Sequence, residues 1–467
     1  MLITGDTTVD QLAKGAVVNL FDAKGAGFRF PFDMIWSYLP AGAEIRSELR
    51  SPQGKKLVDS GYLRRTGRQI KTSSASRRSN DVAEYTFGNY FSSRTGFNKT
   101  DEGLLKSVNA SLTEAALTFD DVFVLRVLAS LLTKRFCILT GLAGSGKTKL
   151  AEALAMWLCE SDQQYRIVSV GSDWTSNENL LGYADALQAG QYRAPVNGAL
   201  ELILRAAADV DKKPYFLILD EMNLSHVERY FADFLSAMES DNAPLSLHGA
   251  TTKLALGGVG STDVPDKLPL PSNLFIIGTV NVDETTYMFS PKVLDRANVI
   301  EFRATAEQME SFLDNPSGID LDTLKAQGVS FAAAFVQRSL AGADIATLTD
   351  DAGNAFSPQF KLDLIAAFAE LASVGAEFGF RTAKEIARFM VIHKELSGAG
   401  WVYKDALDAQ VLQKLMPKLH GSARKLGGVL KTLEEFATAR GLALTLEKVK
   451  RMQQRLERDG FTSFAEA

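Results

Sequence analysis

The chain has 467 residues, which corresponds to about three domains of ordinary size and is long enough to bury large cores. Hydrophobic residues make up 46% and charged residues 23%, a balance that excludes a disordered, collagen-like or membrane-spanning chain. The two cysteines, Cys137 and Cys159, are too few for a disulfide framework and favour a reducing compartment. The first residues lack the basic and apolar segments of a signal peptide, so the sequence predicts a cytoplasmic protein.

The net charge of −5 is unevenly distributed along the chain. Residues 1–118 carry 16 Lys and Arg against 12 Asp and Glu, a net charge of +4, and the remainder has a net charge of −9. Residues 46–78 contain ten basic side chains and only two acidic ones, Glu48 and Asp59. Two interpretations stay open for this basic segment: a solvated loop, or a surface that binds anions such as nucleic acid.

Strands and helices alternate in the middle of the chain, after a first region that spans residues 1–118. The pattern predicts a helix that begins at Asp120 or Asp121 and ends at about Thr133, because Asp is a preferred N-cap residue. Short apolar runs predict four strands, at residues 136–140, 165–170, 215–219 and 274–278. A helix over residues 147–159 is predicted to follow the first strand. Apolar strands separated by helices indicate an α/β core with a parallel sheet covered on both faces.

This predicted core spans residues 119–304, and a mostly helical region spans residues 305–467. Residues 245–271, between the third and fourth predicted strands, are rich in Gly, Thr and Pro. This composition fits either a β-hairpin that carries a loop or a disordered excursion at the surface.

The segment from Gly141 to Thr148 reads Gly-Leu-Ala-Gly-Ser-Gly-Lys-Thr and follows the first predicted strand. It matches the P-loop pattern G-x-x-x-x-G-K-[ST], whose glycines let backbone N–H groups curl around phosphate oxygens at a helix N-terminus. Lys147 is expected to reach the β- and γ-phosphates of a nucleotide, and the Thr148 hydroxyl to ligate Mg²⁺. The predicted nucleotide-binding residues are Gly141, Gly144, Ser145, Gly146, Lys147 and Thr148.

Polar residues also follow the third and fourth predicted strands. Asp220 and Glu221 end an apolar strand about 70 residues after the P-loop, as in a Walker B element. Asp220 is expected to bind Mg²⁺ through water, and Glu221 to polarise the attacking water. Asn281 lies where a polar side chain would stand beside the γ-phosphate, and the alternative is an Asx-turn that closes the strand.

Residues 290–296, which read Ser-Pro-Lys-Val-Leu-Asp-Arg, contain a further candidate. Arg296 is expected to project from one subunit into the nucleotide of the next and to stabilise transition-state charge there. Lys292 is the second choice for this role. A local salt bridge involving Asp295 is the alternative.

With these motifs in order, residues 120–381 resemble an AAA+ ATPase core, and more narrowly the McrB-like branch, the motor subunits of modification-dependent restriction systems. Three segments carry the narrower resemblance: Ser-Asp-Trp-Thr at 172–175, Leu-Leu-Gly-Tyr at 180–183 and Asp-Glu-Met-Asn at 220–223. The resemblance implies that the core is followed by a C-terminal helical lid and preceded by a small N-terminal domain.

The resemblance also implies residue roles and a cofactor. Asn281 matches the sensor 1 position, Arg296 the arginine finger, and Arg381 resembles sensor 2 at the start of a lid helix, with a solvated arginine as the alternative. ATP with Mg²⁺ is the default of the superfamily. GTP stays open as the nucleotide. The McrB proteins that use GTP resemble the pattern Met-Asn-x-x-Asp after the fourth strand. In this sequence the run from Val280 to Asp283 departs from that pattern, because it has one residue fewer between Asn and Asp.

At the level of function, the resemblance implies a ring, expected to be a hexamer, that couples ATP or GTP hydrolysis to DNA translocation or remodelling. Because the chain has no recognisable nuclease, a separate McrC-type nuclease subunit is the expected partner in an anti-phage restriction system. DNA would bind the basic N-terminal region, and no membrane is involved. A MoxR-like or dynein-related chaperone that remodels proteins is the alternative. Glu221 and Asn281 argue against a scaffold that binds nucleotide without turnover.

Overall fold

The computed structural model divides the chain into two compact units, residues 1–100 with 208–212, and residues 101–207 with 213–467. The division falls after Thr100, so residues 101–118, which the sequence analysis assigned to the first region, belong to the second unit. The structure describes residues 101–467 apart from 118, 240–242, 251–252, 257–262, 283–286, 307–308, 311–312, 314–317, 351–352, 399 and 466. Of the first hundred residues it describes 2–3, 13, 16–17, 20, 29–31, 34–36, 39, 44–45, 57, 63–71 and 81–87.

The first unit contains short strands that pair in two sheets. Asp81–Phe87 lies in the middle of a three-stranded antiparallel sheet, between Arg29–Pro31 and Leu63–Lys71. Leu2–Ile3 pairs in parallel with Glu44–Ile45. Most of the basic segment 46–78 lies outside the described residues, so the choice between a solvated loop and an anion-binding surface stays a prediction.

The second unit is built on a five-stranded parallel sheet in the order β5-β1-β4-β3-β2. Its strands are β1 (Phe136–Gly141), β2 (Tyr165–Ser169), β3 (Tyr215–Asp220), β4 (Leu274–Asn281) and β5 (Asn298–Glu301). The four predicted strands are confirmed, and β5 is an additional strand that the sequence analysis missed. Because β1, β4 and β5 are buried almost throughout, the sheet is covered on both faces, as apolar parallel strands require.

Helices surround this sheet and continue into the C-terminal region. They are α1 (Asp101–Glu114), α2 (Asp121–Thr133), α3 (Lys147–Leu158), α4 (Glu178–Leu181), α5 (Ala199–Ala208), α6 (Val227–Tyr230), α7 (Ala232–Ala237), α8 (Pro291–Leu294), α9 (Val329–Leu340), α10 (Ser357–Ala372), α11 (Phe380–Ser397), α12 (Tyr403–Gln410), α13 (Ala423–Arg440) and α14 (Ala443–Asp459). Short 3-10 segments span Asp162–Gln164, Met222–Leu224, Leu321–Leu324, Ile345–Thr347 and Met416–Lys418, and a π-helical segment spans Val411–Leu415. The predicted cap of α2 is confirmed, because the Asp120 carboxylate accepts a hydrogen bond of 3.0 Å from the Val122 N–H.

Alternating side chains of the central strands pack into two hydrophobic cores, one on each face of the sheet. Cys137 and Leu139 of β1 face a core shared with α1, α2, α3, α9 and α11. Phe136 and Ile138 face the opposite core, which includes α5, α7 and the C-terminal helices α12, α13 and α14. This two-residue alternation follows from strand geometry and produces the predicted α/β fold, a parallel sheet between helical layers with a C-terminal helical region.

Residues 245–271 form antiparallel strand pairs within the part that the structure describes. Leu245–Ser246 pairs with Lys267–Leu268, and Leu254–Leu256 pairs with Asp263–Val264. The second pair continues into a four-stranded sheet, because Leu254–Leu256 also pairs with Gln191–Arg193, which pairs with Tyr183–Ala184. The hairpin interpretation of this segment therefore holds for its described residues.

Buried ion pairs connect the C-terminal helices to the central sheet. Lys448 on α14 has no exposed side-chain surface and donates to Glu301 at the end of β5, at 3.0 Å. Arg451, one turn later, contacts the other carboxylate oxygen of Glu301 at 2.9 Å. The last residues return to the same region, where His420–Ser422 pairs with Phe461–Ser463. No helix among the described residues is long and apolar enough to cross a membrane.

Candidate nucleotide-binding site

The P-loop connects β1 to α3 at the carboxyl edge of the central sheet. Gly144 and Gly146 have φ angles of 71° and 98°, in the left-handed region that favours glycine. Gly141 is required for a different reason, because a Cβ there would lie 2.4 Å from the backbone oxygen of Phe302. The predicted strand–loop–helix context of the P-loop is therefore present, with the N-terminus of α3 directed at the loop.

Lys147 is buried and turns back over the loop that precedes it. Its ammonium group donates to the carbonyl oxygens of Leu142, at 2.5 Å, and Gly141, at 3.1 Å. It also lies 3.2 Å from the Ser145 hydroxyl. The ammonium group thus lies against atoms of Gly141, Leu142 and Ser145 in the P-loop.

Thr148 and Asp220 come together although 71 residues separate them. The Thr148 hydroxyl donates to Asp220 Oδ1 at 2.6 Å. The Thr279 hydroxyl on β4 donates to the same oxygen, also at 2.6 Å. This arrangement follows from the parallel sheet, because the carboxyl ends of β1, β3 and β4 meet at one edge.

Glu221 and Asn281 also meet at this edge. Asn281 Nδ2 donates to Glu221 Oε1 at 3.3 Å, and β4 aligns Asn281 with Gly141 at the start of the P-loop. Glu221 has φ 52° and ψ 47°, a left-handed conformation that is costly for a residue with a side chain. The structure therefore brings Thr148, Asp220, Glu221 and Asn281 to the same edge as the P-loop that holds Lys147, and their roles at a nucleotide stay predictions.

The oxygen atoms at this edge fit a hard divalent cation such as Mg²⁺. Such an ion usually keeps several waters and takes one or two protein oxygens together with substrate phosphates. The Thr148 hydroxyl and the Asp220 carboxylate offer that set beside the P-loop. Among the described residues no group of three or more His, Cys, Asp or Glu forms a metal cage, and a phosphate-bound Mg²⁺ does not need one.

Arg296 does not project from its subunit in this structure, contrary to the expectation. Its side chain is buried and donates to the carbonyl oxygens of Leu235, at 2.9 Å, and Lys292, at 2.6 Å. The guanidinium also pairs with the carboxylate of Glu239. This pair is not the alternative, a local salt bridge involving Asp295, because Glu239 and Arg296 are 57 positions apart in sequence and Asp295 pairs with Lys418 at 2.5 Å. Lys292, the second choice, is exposed.

Arg381 lies at the start of α11, where the resemblance to sensor 2 places it, and at the end of the central sheet opposite the P-loop. As the second residue of α11 it donates to Glu239 Oε1 at 3.0 Å, so Glu239 bridges Arg381 and Arg296. The charge of Arg296 and its hydrogen bond lower the pKa of the Glu239 carboxyl. Arg381 also lines a cavity beside Phe136, which begins β1, whereas the P-loop follows the other end of that strand.

This cavity has a volume of about 350 Å³ and is rich in positive charge. Its charged lining residues are Lys134, Arg135, Arg381, Lys384, Glu385 and Arg388. Burial, together with the neighbouring Lys414, lowers the pKa of Lys134 to about 8, although Glu385 accepts from it at 2.6 Å. The amino edge of the sheet thus carries a cationic face, opposite the edge that carries the P-loop.

Two polar residues of the site were missed by the sequence analysis, Thr279 and Asn223. Thr279 contacts both acidic residues of the Walker B segment, since it also accepts a hydrogen bond of 3.1 Å from the Glu221 N–H. Asn223 Nδ2 donates to the backbone oxygen of Asn281 at 3.5 Å. The two-residue spacing of Thr279 and Asn281 is the signal that would have found Thr279. Asp283, which bears on the choice between ATP and GTP, lies outside the described residues.

Two domain families match the second unit. An AAA domain matches residues 131–255, and a domain of unknown function (DUF8727) matches residues 336–461. The first match contains the P-loop and Asp220 to Asn223, and the second covers most of the C-terminal helices. A search of curated proteins finds no match.

Similarity to solved structures is low. A full-length MCM homolog from Methanopyrus kandleri matches with a TM-score of 0.33 and 12% identity, over 68% of this chain and 60% of that one. The S. cerevisiae Hsp104–ADP complex matches with a TM-score of 0.25 and 17% identity, over 48% of this chain and 37% of that one. The chain thus spans about 60% of the length of the MCM homolog, and similarities this low do not extend to activity or partners. Residues 131–255 thus match an AAA domain, and the parallel sheet and the P-loop of the second unit agree with that match.

Proposed function

We propose that the chain hydrolyses ATP with Mg²⁺ at the carboxyl edge of the central sheet, with GTP as the other candidate nucleotide. The convergence of Thr148, Asp220, Glu221 and Asn281 carries this proposal, because it places the Glu221 carboxylate, a candidate base, beside a candidate cation site. In the proposed complex the phosphate oxygens replace the loop carbonyls that Lys147 now contacts. Thr148 and Asp220 would hold Mg²⁺, which when bound neutralises charge on the phosphates.

In this proposal Glu221 orients the attacking water and accepts its proton, since it directly follows the buried strand β3 and its carboxylate contacts Asn281, which pairs with Gly141 of the P-loop. Asn281 keeps the carboxylate in place through its 3.3 Å hydrogen bond. The backbone N–H groups at the start of α3 hold the phosphates, as at other helix N-termini.

The experiment that tests this function compares Glu221→Gln and Lys147→Ala with the unmodified chain. Glu221→Gln is expected to bind nucleotide and to lose hydrolysis by roughly 100-fold or more, the contribution of a general base. Lys147→Ala is expected to lose binding as well, because the phosphates lose their cation. Glu457→Gln, an exposed change on α14, is the matched control. Hydrolysis by Glu221→Gln at the normal rate would contradict the assignment.

We further propose that Arg381 completes the site of a neighbouring copy of the chain in a ring, and that Arg296 holds the Glu239 carboxylate beside it. Both arginines share Glu239, at the amino edge of the sheet, and neither approaches the P-loop of its own chain. A hexamer is the proposed assembly, on the resemblance to AAA+ ring ATPases. Lys292, which is exposed on the same segment as Arg296, stays the second candidate.

The finer proposal is a motor that acts on DNA together with a separate McrC-type nuclease subunit in a restriction system. The McrB-like segments at 172–175, 180–183 and 220–223 and the net positive charge of residues 1–118 support it. DNA that stimulates hydrolysis by the full chain, with a stimulation that falls steeply with salt, is the expected result. Stimulation by an unfolded polypeptide and not by DNA would favour the alternative, a MoxR-like or dynein-related chaperone.

A further inference from the structure

Thr279 connects the two acidic residues of the Walker B segment through a single oxygen atom. Its hydroxyl donates to Asp220 Oδ1 at 2.6 Å and accepts from the Glu221 N–H at 3.1 Å. A hydroxyl has one proton to donate and two lone pairs, so it can make both bonds at once. Only 2% of Thr279 is exposed, so water has little access to replace these bonds.

The bond to the Glu221 N–H acts on a strained part of the backbone. A left-handed conformation costs roughly 1–2 kcal/mol for a residue other than glycine, and Glu221 adopts it with φ 52°. The carbonyl of Glu221 accepts from the Leu224 N–H at 2.9 Å, which begins the following 3-10 turn. Thr279 therefore holds the amino side of this residue, and the turn holds its carbonyl side.

The side chain of Glu221 depends on the same backbone conformation. From the left-handed backbone its carboxylate reaches Asn281, whose Nδ2 donates to Oε1 at 3.3 Å. Thr279 and Asn281 are two residues apart on β4, so they lie on the same face of the strand. One strand end thus supplies a bond to the Glu221 backbone and a second bond to its side chain.

We propose that Thr279 is a positioning residue that fixes the Glu221 carboxylate for catalysis through the hydrogen bond of its hydroxyl to the Glu221 N–H. This inference rests on the proposed hydrolysis and assigns to Thr279 no contact with the nucleotide. The hydroxyl also donates to Asp220, so one side chain fixes the position of the candidate cation ligand relative to the base Glu221.

Thr279→Val and Thr279→Ser separate the hydroxyl from the shape of the side chain. Thr279→Val is expected to lower kcat by about 100-fold, the typical effect of a catalytic group displaced by about 1 Å. Nucleotide affinity, measured with Glu221→Gln and Glu221→Gln/Thr279→Val to prevent turnover, should change by less than about threefold, because the P-loop remains intact. Thr279→Ser keeps the hydroxyl and is expected to restore most of the turnover.

Thr462→Val is the matched control, because Thr462 is also a buried strand threonine and its hydroxyl has no partner among the described residues. The inference is overturned if Thr279→Val hydrolyses nucleotide within about threefold of the unmodified chain, or if its nucleotide affinity falls as much as its kcat. Restoration of Thr279→Val by excess Mg²⁺ also overturns it, since the defect would then lie at Asp220. An active Glu221→Gln would instead refute the proposed function, so the two failures are distinguishable.

Discussion

Gly141 marks the point where β1 becomes the P-loop, and its surroundings leave no room for a side chain. A Cβ at Gly141 would lie 2.4 Å from the backbone oxygen of Phe302. The Phe302 N–H donates to the backbone oxygen of Thr140 at 2.7 Å. The carbonyl is therefore attached to the edge of the sheet and cannot move away freely. At Gly144 a Cβ would meet nothing within 4 Å, so only the backbone conformation requires glycine there.

This difference predicts that the two glycines respond unequally to alanine. Gly144→Ala is expected to cost roughly 1 kcal/mol in unfolding free energy, the strain of a left-handed backbone. Gly141→Ala is expected to cost about 1–3 kcal/mol more, the penalty of overpacking against a fixed backbone. Denaturant unfolding of both variants measures the two values. An equal decrease in unfolding free energy for the two variants would contradict this prediction, since it would mean that the backbone of Phe302 moves easily to accommodate the added methyl group.

At the scale of elements, buried ion pairs determine where the C-terminal helices sit. Glu385 on α11 accepts from Lys134 at the end of α2, at 2.6 Å, and from Lys414 at 2.9 Å. Glu301 at the end of β5 accepts from Lys448 on α14. Removing one partner of such a pair leaves an uncompensated buried charge and typically costs about 3–5 kcal/mol. These contacts therefore constrain the helices in addition to their apolar packing.

Lys134 makes this attachment dependent on pH. Burial lowers the pKa of Lys134 in the folded state to about 8, from its ordinary value of 10.5, so the unfolded chain binds the proton more tightly. The contribution of Lys134 to stability is therefore least favourable below pH 8 and improves as pH rises toward 10.5. Relative to Lys134→Met, the unmodified chain is expected to gain about 2 kcal/mol between pH 7.5 and 9.5. Urea unfolding of both proteins across this range measures the difference, and a constant difference would contradict the lowered pKa.

The elements themselves were largely predictable, and their long-range contacts were not. Strands such as β1 and β3 are unbroken apolar runs, and the glycine pattern of the P-loop indicates both its conformation and its place. The short β5 was missed because only Val299 and Ile300 are apolar, between polar Asn298 and Glu301. Thr279 could have been identified from its spacing with Asn281. The position of Arg381 depends on ion pairs between segments far apart in sequence, which no local pattern reveals.

At the scale of the whole molecule, the two proposed halves of the catalytic machinery lie at opposite edges of one sheet. Strand β1 begins beside the cavity that Arg381 lines and ends at the P-loop, and its six residues span roughly 17 Å. A single chain therefore does not bring Arg381 to its own Lys147. A head-to-tail contact between copies places one edge against the other, and repetition of that contact closes a ring when the rotation permits.

This arrangement predicts complementation between two inactive variants. Lys147→Ala lacks a working P-loop but keeps Arg381, and Arg381→Ala has the opposite defect, so each alone is expected to hydrolyse little nucleotide. In an equimolar mixture about a quarter of the contacts join an intact P-loop to an intact Arg381, so about a quarter of the activity should return. Lys361→Ala, an exposed change on α10, should instead give about half when mixed with Lys147→Ala. A mixture that forms rings by light scattering yet stays inactive would contradict a shared site, because every geometry that places Arg381 against a neighbour's P-loop produces some repaired contacts.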